Sequence, residues 1–564
     1  MKKMKTVTFV NKKVQKYIFI LLSIFNCQFS IFSLSFWDNK PHDELAREIV
    51  REMTPTELYS QILMFGWAGA EPEQILYDWV SRGLGSVKVF GWNTDNIYLV
   101  AKSITSLQKH SAKNRFQIPL FVATDQEGGW IRHVKGDTAI TPGNMAIGAS
   151  GYPSDSFYSA YYISREIKAL GINMNFAPTV DLYTNHNSTI ISSRSFGEDP
   201  VKSGILGAAW AKGSMAAGVI PTVKHFPGHG DTENDSHIYL PKIDCDFETF
   251  TNRELVPFRY LINSGVPAVM SGHLSFPKIE PSGTPASLSK YFLTDLLRGQ
   301  LGYQGLIITD DMMMNGATMY AGSLSNAFRM AIQAGNDIII SSTTAKLNEA
   351  LWTNNLNLIS SDPEFRARVE DAAYRVIKSK LEYFKGGNAA PLYPNASDID
   401  AAIPDREGDK FFLEQACRSI TVYQGTSAHP KETAGRVLVV GGLPEFLSAI
   451  KKRYPDSGEF RFQYETGPNQ TQWVIDNLPQ TASSYDTIVV LVGSERHARI
   501  AESVKKLGKK VIICSIMYPV YSERLTWADT ILMGYSWSGY TLEAMAAVLA
   551  GEFQAEASLP FSKE

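Results

Sequence analysis

The regular alternation of short apolar runs with longer stretches of helical periodicity constrains the fold of this chain more than any other feature. Such alternation is typical of repeated βα units, whose strands pair in parallel. Candidate strands occupy residues 62–65, 86–90, 120–124, 174–177, 219–223, 268–271, 306–309 and 337–341. Eight such strands predict a closed (β/α)8 barrel of the TIM type, with an open doubly wound sheet as the competing architecture.

The segments between these strands space their apolar residues as amphipathic helices do. The clearest examples are 156–170, 201–217, 247–264, 322–334 and 364–383. The strands and helices together assign residues 40–385 to one α/β barrel domain.

Past the last of these helices the sequence becomes rich in Gly and Pro, which predicts a linker over 386–404. Further candidate strands follow at 436–440, 487–492, 511–516 and 530–533, separated by helical patterns such as 444–453 and 495–507. These elements predict a second α/β domain over 405–564. A length of 564 residues is also too great for one compact core.

The first 37 residues combine a lysine-rich start with an apolar run over 17–25 that continues to Leu34. This pattern is typical of a secretory signal peptide. An uncleaved membrane anchor is the alternative, because the apolar stretch approaches the roughly 20 residues that span a bilayer. Lipid attachment at Cys27 is a third interpretation. All three predict an extracytoplasmic protein that is periplasmic, secreted or anchored, with membrane contact only through this segment if it is not cleaved.

Charge and cysteine usage exclude several classes of partner. The 54 basic residues nearly balance the 57 acidic ones, so nothing in the charge indicates a nucleic-acid partner. The four cysteines are scattered and match no metal-ligand spacing or disulfide framework.

The densest cluster of ionisable residues is the loop 224–237, which follows the candidate strand 219–223. A histidine with a pKa near its usual ~6.5 can protonate a leaving oxygen and then activate water, which is the chemistry of glycoside cleavage. His237 is the candidate acid/base, and Asp235 is close enough in sequence to orient its ring. Lys224 and His225 stand where the strand becomes loop, as donors suited to sugar hydroxyls. For an isolated Asp-x-His, a polar turn without a catalytic role would be the more common explanation.

The same loop permits a competing interpretation as a metal site. His225, His229, Asp231 and His237 carry ordinary zinc ligands. Their spacing matches no ligand pair carried by a helix, and His229 and Asp231 are expected to brace the loop instead.

A second carboxylate, Asp310, ends the candidate strand 306–309. A carboxylate at the carboxyl end of a barrel strand points toward bound substrate and can attack an anomeric carbon. Asp311 next to it is a candidate cap for the following helix. Capping by both aspartates is the structural alternative.

A third cluster, residues 125–133, also follows a strand directly. Asp125 can accept hydrogen bonds from two sugar hydroxyls, or it can form an ion pair with Arg132 that supports the barrel rim. Arg194 can likewise donate to a sugar or form a salt bridge, and the sequence leaves both choices open.

Taken together these segments resemble glycoside hydrolase family 3, specifically its β-N-acetylglucosaminidase branch. The resemblance is carried by residues 53–55, 125–129, 142–146, 175–178, 193–196, 224–232, 308–312, 541–544 and 558–561. It covers nearly the whole chain after the leader, and it implies an α/β sandwich for the second domain.

By this resemblance Asp310 is the nucleophile, His237 the acid/base and Asp235 its partner. The resemblance also implies that Asp125, Arg194, Lys224 and His225 bind the terminal sugar and that no metal or other cofactor is required. Family members of this branch carry an arginine one position after Arg132, where this chain has His133. Either Arg132 reaches the sugar or His133 replaces the missing arginine.

The implied enzyme is a retaining exo-β-N-acetylglucosaminidase that acts on peptidoglycan fragments or chitooligosaccharides. One alternative is a β-N-acetylglucosaminide phosphorylase, since a histidine acid/base would repel phosphate less than a carboxylate would. A second alternative is a surface carbohydrate-binding protein that has lost turnover, against which the intact Asp310 and His237 argue.

Overall fold

A computed structural model describes residues 34–233 and 239–563 of the chain. The candidate signal or anchor segment and Cys27 therefore lie outside the described residues, as do Asp235 and His237. Within the described ranges, no helix is both long enough and apolar enough to cross a membrane.

Eight parallel strands form a closed barrel, as the sequence predicts. Their order around the barrel follows the chain, and the last strand pairs with the first. The barrel strands are β1 (Leu63–Phe65), β2 (Ser86–Lys88), β3 (Phe121–Thr124), β6 (Met174–Asn175), β7 (Ile220–Phe226), β8 (Ala268–Ser271), β9 (Leu306–Asp311) and β10 (Ile338–Ser341). A small antiparallel hairpin of β4 (Gln126–Gly128) and β5 (Ile131–Arg132) follows β3.

Helices surround the barrel strands on the outside. Their bounds are His42–Glu52, Pro55–Gln61, Gln74–Ser81, Ile97–Ser111, Asn144–Ser150, Pro153–Ala169, Pro200–Ala217, Phe247–Thr249, Leu255–Asn263, Asn315–Ala321, Leu324–Ala334, Ala350–Ser361 and Pro363–Phe384. Two stretches are π-helical, Phe250–Glu254 and Tyr291–Gln300.

Local sequence explains how the chain enters the strand that carries most of the predicted site. Asp199 accepts hydrogen bonds from the backbone N–H of Val201 and Lys202, and Pro200 occupies the first turn, so the helix begins there. The helix ends at Gly218, whose φ of 90° suits glycine, and β7 follows two residues later.

Alternate residues of the barrel strands point inward and fill the interior. Met64, Phe121, Met174 and Ile308 belong to this inner cluster. Val122, which follows Phe121 in β3, points the other way and belongs to the outer core between strands and helices. Because the interior is packed rather than open, polar chemistry is confined to the ends of the barrel.

The second domain is built on a six-stranded sheet. Its order is β11 (Thr421–Gln424), β16 (Thr530–Met533), β15 (Lys510–Ser515), β14 (Thr487–Val492), β12 (Val437–Gly441) and β13 (Gly458–Arg461), with β11 antiparallel to its neighbour and the other pairs parallel. The helices of this region are Arg406–Ser419, Lys431–Ala434, Pro444–Arg453, Pro468–Ala482, Glu495–Glu502, Pro519–Glu523 and Gly539–Ala550. The predicted linker 386–404 contains a short helix, Ala396–Ala402, which Asn395 caps.

Side chains of the second domain contact the barrel directly. Arg418 forms an ion pair with the buried Asp155 at 2.7 Å. The C-terminal segment adds a backbone hydrogen bond of 3.0 Å from Glu198 N–H to the carbonyl of Pro560. The helix Arg406–Ser419 and the C-terminal segment therefore hold the second domain against the barrel.

Candidate functional site

The described residues of the predicted site converge at the carboxyl end of the barrel. Asp125 follows β3, Lys224 and His225 lie in β7, and Asp310 lies in β9. Arg194 reaches this end from a 3₁₀ turn in the long loop after β6. This carboxyl end, called the barrel rim below, therefore brings together five side chains from distant parts of the sequence.

A buried network of charges connects four neighbouring segments of the rim, which belong to or follow β2, β3, β6 and β7. Lys224 Nζ lies 2.6 Å from Asp125 Oδ1 and 2.6 Å from Glu127 Oε1. Lys88 Nζ lies 2.9 Å from Asp125 Oδ2. Arg194 binds Glu127 with two parallel hydrogen bonds of 3.0 and 2.8 Å. This group of five residues is called the rim network below.

The rim network keeps its charges despite burial. Burial opposes ionisation of Asp125, but Lys224 and Lys88 hold its pKa well below the ordinary value. Burial also opposes ionisation of Glu127, but Arg194 and Lys224 lower its pKa to about 2. Burial would lower the pKa values of Lys224 and Arg194, but the adjacent carboxylates raise both. Three cations thus face two carboxylates, which leaves donor capacity for an uncharged, oxygen-rich ligand such as a sugar.

His225 is oriented by a buried carboxylate, Asp181. Its Nδ1 lies 2.6 Å from Asp181 Oδ2, and its backbone N–H donates to Asp181 Oδ1 at 3.1 Å. Since a carboxylate can only accept, Nδ1 carries the proton and donates. Burial opposes ionisation of Asp181, while His225 and His229 lower its pKa overall. His225 is therefore held in one tautomer and one ring orientation.

Asp310 is the penultimate residue of β9, and its side chain is partly open to solvent, whereas Thr309 before it is fully buried. The backbone N–H of Asp311 donates to Asp310 Oδ1 at 2.8 Å. Burial opposes ionisation, but His225 and His273, together with this hydrogen bond, lower the pKa of Asp310 to about 2. The carboxylate is thus anionic over the whole physiological range, as a nucleophile must be.

His273, which follows β8, supports the backbone beside Asp310. Its Nε2 lies 3.0 Å from the carbonyl oxygen of Asp311, and its Nδ1 lies 2.7 Å from Ser287 Oγ. Because a carbonyl oxygen only accepts, Nε2 donates and Nδ1 accepts from the serine hydroxyl. Burial lowers the pKa of His273 overall.

Asp311 does not cap the following helix, contrary to the expectation from the sequence. That helix begins at Asn315, and Asp311 Oδ1 instead accepts from the backbone N–H of Met313 and of Ser342, each at 3.0 Å. It joins the loops that follow β9 and β10. Three residues separate Asp311 from the first residue of the helix, and this distance is too great for its carboxylate to satisfy the free N–H groups there.

The hairpin after β3 separates the roles of Arg132 and His133. Arg132 donates to the backbone carbonyl of Thr138 and makes no ion pair with Asp125 among the described residues. His133 Nδ1 lies 3.6 Å from Asp125 Oδ2, and burial lowers the pKa of His133 to about 4. The rim-supporting Asp125–Arg132 pair is therefore absent, and His133 rather than Arg132 lies beside the rim network.

The described part of the histidine loop is anchored to neighbouring elements. The backbone N–H of His229 donates to Asp181 Oδ1 at 2.7 Å, and Asp231 Oδ2 lies 2.5 Å from Arg253 Nη2. These contacts tie His229 and Asp231 to elements outside the loop, and their role in bracing the loop internally stays a prediction. Within 34–233 and 239–563, no three His, Cys, Asp or Glu side chains are grouped to hold a metal ion.

Four further residues at this end of the barrel were not predicted from the sequence, namely Lys88, Glu127, Asp181 and His273. A charged residue inside an apolar strand pattern was the available signal for Lys88. Glu127 lies two residues after Asp125, within a segment already singled out. Asp181 and His273 follow strands as Asp125 does, but neither stands in a cluster of ionisable residues.

The model of the glycosyl hydrolase family 3 N-terminal domain matches residues 59–379, more than half of the chain. Beta-hexosaminidase A of Pseudoalteromonas piscicida is 32% identical over 443 residues, which cover 67% of this chain and 74% of that protein. A beta-hexosaminidase of Pseudomonas aeruginosa (strain LESB58) is 31% identical over 273 residues, covering 48% of this chain and 78% of its own.

A solved structure extends the similarity to the second domain. The family 3 β-N-acetylglucosaminidase of Paenibacillus sp. str. FPU-7 superposes with a TM-score of 0.83 at 28% identity, covering 90% of this chain and 99% of that one. The coverage includes both α/β domains of the present structure. The chain therefore belongs to glycosyl hydrolase family 3, and it is a glycoside hydrolase with a carbohydrate substrate.

Proposed function

We propose that this protein is a retaining exo-β-N-acetylglucosaminidase that removes terminal N-acetylglucosamine. The observation that carries the proposal is the ionised Asp310, partly open to solvent at the barrel rim. Support also comes from the relatives above, two of which are named beta-hexosaminidases and one a β-N-acetylglucosaminidase.

In the proposed mechanism the Asp310 carboxylate attacks the anomeric carbon, while His237 protonates the departing glycosidic oxygen. The bond to the leaving group breaks as the bond to Asp310 forms, giving a glycosyl-enzyme. His237, now neutral and oriented by Asp235, then takes a proton from water, whose oxygen attacks the same carbon and releases Asp310. Two inversions retain the β configuration, and His237 ends each turnover protonated.

The rim network provides the proposed binding surface for the sugar. Asp125 accepts from sugar hydroxyls, and Lys224, His225 and Arg194 donate to them. Because the protein itself neutralises these charges, the pocket is preorganised before substrate binds and needs little rearrangement. The donors and acceptors are held by buried partners rather than by flexible surface side chains.

His133 takes the place proposed for the missing arginine of this branch. It lies beside Asp125, whereas Arg132 is bound to the Thr138 carbonyl. The ring of Phe90 supports it at a centroid distance of 5.7 Å. A neutral imidazole can give or accept one hydrogen bond there, but it cannot form the two parallel bonds of an arginine.

The lysine-rich, apolar N-terminal segment supports an extracytoplasmic location for this activity. Peptidoglycan fragments and chitooligosaccharides are the proposed substrates, since both present terminal N-acetylglucosamine. Whole cells expressing the protein should hydrolyse a membrane-impermeant chitooligosaccharide outside the cytoplasmic membrane. Activity that appears only after lysis of that membrane would contradict this location.

The decisive experiment traps the glycosyl-enzyme. The wild type, reacted with a slow 5-fluoro N-acetylglucosaminide, should gain the mass of one sugar, with the label on the peptide that contains Asp310. Asp310→Asn should take up no label, while the neighbouring Asp311→Asn should still be labelled. A label on another residue would contradict the assignment of the nucleophile. Failure of the wild type to release nitrophenol from 4-nitrophenyl N-acetyl-β-glucosaminide would contradict the activity itself.

A further inference from the structure

A loop of the second domain reaches over the barrel rim beside the rim network. Tyr518 follows β15, and its ring lies 6.2 Å from the ring of Trp130, which belongs to the hairpin after β3. Both side chains are half-buried. The Tyr518 hydroxyl is also close enough to Arg194 to feel the charge of its guanidinium. Tyr518 therefore bridges a barrel hairpin and the arginine that closes the rim network.

The position of this contact relative to Asp310 follows from the barrel topology. In the closed order, β3 and β9 are four strands apart, so Asp125 and Asp310 lie on opposite sides of the rim. Lys88 couples the two sides, because it pairs with Asp125 and its charge also lowers the pKa of Asp310. The space between them is therefore narrow enough for one cation to influence both carboxylates.

The geometry of a pyranose ring determines which sugar atoms face Asp310 and Asp125. C1 and C4 are opposite atoms of the ring, so a sugar with C1 at Asp310 directs O4 toward Asp125. A β-1,4-linked chain would continue from that O4, away from Asp310. Trp130 belongs to the hairpin that follows Asp125, and Tyr518 contacts it, so both rings lie on the Asp125 side of the rim.

The loop that carries Tyr518 is fixed in place by contacts on both of its flanks. Met517 has a positive φ of 61°, and its carbonyl accepts a hydrogen bond of 3.4 Å from Ser192 Oγ of the barrel. After Tyr518, the helix Pro519–Glu523 ends in a buried ion pair of 3.1 Å between Glu523 and His186. Such anchoring is what a rigid boundary of a binding site requires.

We propose that Tyr518 and Trp130 form an end wall that blocks extension of the sugar chain beyond O4 of the bound residue. The wall would make the second domain a determinant of exo action, since it leaves room for one sugar on the non-reducing side. This inference rests on the proposed function, because the orientation of the sugar follows from Asp310 as nucleophile. Tyr518 and Trp130 act on specificity and take no part in bond cleavage.

The test uses 4-nitrophenyl β-N,N′-diacetylchitobioside and the full-length protein. The wild type should first release N-acetylglucosamine and 4-nitrophenyl N-acetylglucosaminide, with nitrophenol appearing after a lag. In Tyr518→Ala combined with Trp130→Ala, direct release of the intact disaccharide with nitrophenol should rise on the order of tenfold, because the removed rings open the blocked direction. Tyr521→Ala, which removes the neighbouring ring at 5.8 Å, is the matched control and should keep the wild-type product order.

Single substitutions of Tyr518 distinguish a change in specificity from a folding defect of the double variant. Tyr518→Gly alone leaves the hairpin intact and should shift the products in the same direction by a smaller factor, while Tyr518→Phe should behave as the wild type. The double variant could hydrolyse 4-nitrophenyl N-acetyl-β-glucosaminide yet keep the wild-type product order on the disaccharide. That result would contradict the proposed end wall and leave the proposed function intact. If the wild type hydrolyses neither substrate, the proposed function and the end wall are both wrong.

Discussion

The two ends of the barrel bury charged side chains in opposite ways. At the carboxyl end, Lys224 lies within 2.6 Å of two carboxylates, and they raise its pKa. At the amino end, Lys380 is completely buried but donates to the neutral Gln61 Oε1 at 2.9 Å and the Gly85 carbonyl at 2.6 Å. No carboxylate pairs with Lys380 in the described part of the chain, and burial holds its pKa well below the ordinary value.

This contrast separates a buried charge that opposite charges compensate from one that they do not. A buried ion is costly unless opposite charges compensate it, and an uncompensated lysine gives up its proton instead. The carboxyl end keeps both signs of charge in an arrangement that a bound sugar can complete. At the amino end burial lowers the pKa of Lys380, which donates to Gln61, two residues before β1, and to the carbonyl of Gly85, the residue before β2.

The largest effect should come from Asp310→Asn. Loss of the nucleophile should lower kcat/KM for an aryl N-acetyl-β-glucosaminide by about 10⁴-fold or more, as for other nucleophile deletions. The free energy of unfolding at pH 7 should also fall, by about 2 kcal/mol, because the folded chain lowers the pKa of Asp310 to about 2 and so favours the carboxylate over a neutral side chain. Steady-state kinetics and calorimetry measure both. Activity within tenfold of the wild type would remove Asp310 from the mechanism.

Lys224→Met should lower both the stability and the activity of the protein. Removing one member of a buried ion cluster leaves Asp125 and Glu127 under-compensated, at a cost of about 3 kcal/mol in the free energy of unfolding. A lost charge-assisted hydrogen bond to the sugar should lower kcat/KM by a further 10- to 100-fold or so. Denaturant titration and kinetics measure the two effects. A variant as stable as the wild type would mean that the rim network does not depend on Lys224.

Lys380→Met is the matched substitution at the other end and should leave kcat/KM unchanged. The unfolded chain holds a proton on Lys380 up to about pH 10.4, whereas burial lowers the pKa of Lys380 in the folded chain, so wild-type stability rises with pH between the folded and the unfolded pKa. Relative to the variant, the wild type should gain about 1 kcal/mol between pH 9 and pH 10.

Denaturant titrations of both proteins at these two pH values measure that difference. Equal pH slopes would show that Lys380 stays charged in the fold and that the two ends of the barrel are alike. A loss of activity in Lys380→Met would instead connect the amino end to the reaction.

Helices and strands whose apolar residues recur at regular spacing were predictable from the sequence, whereas strands at the edges of the second sheet were not. The pattern over 444–453 predicts the observed helix Pro444–Arg453 to the residue, because Pro stands in its first turn and apolar residues recur at helical spacing. The strands β11 and β13 were missed. Their residues, such as the half-buried Gly458–Arg461 at the edge of the sheet, show no continuous apolar run.

The site was predictable in its components but not in its pairings. A carboxylate at the end of a strand identifies Asp125 and Asp310, because strand ends of a parallel barrel share one rim. Lys224 and its partner Asp125 are 99 residues apart, and only the closed barrel brings them together. The same holds for Asp181, which orients His225 from 44 residues away.

The smallest predicted effect concerns the substituted arginine position at the edge of the rim network. With a pKa lowered to about 4 by burial, His133 is neutral above pH 5 and its Nδ1 is 3.6 Å from Asp125, so it contributes little to stability there. His133→Ala should raise KM about threefold, through one weak hydrogen bond to the sugar, and leave kcat unchanged. The factor should stay constant from pH 5.5 to pH 8, because the ring does not titrate in that range. Arg132→Ala, which removes only the bond to the Thr138 carbonyl, should leave KM unchanged, and the reverse ranking would show that Arg132 is the sugar ligand.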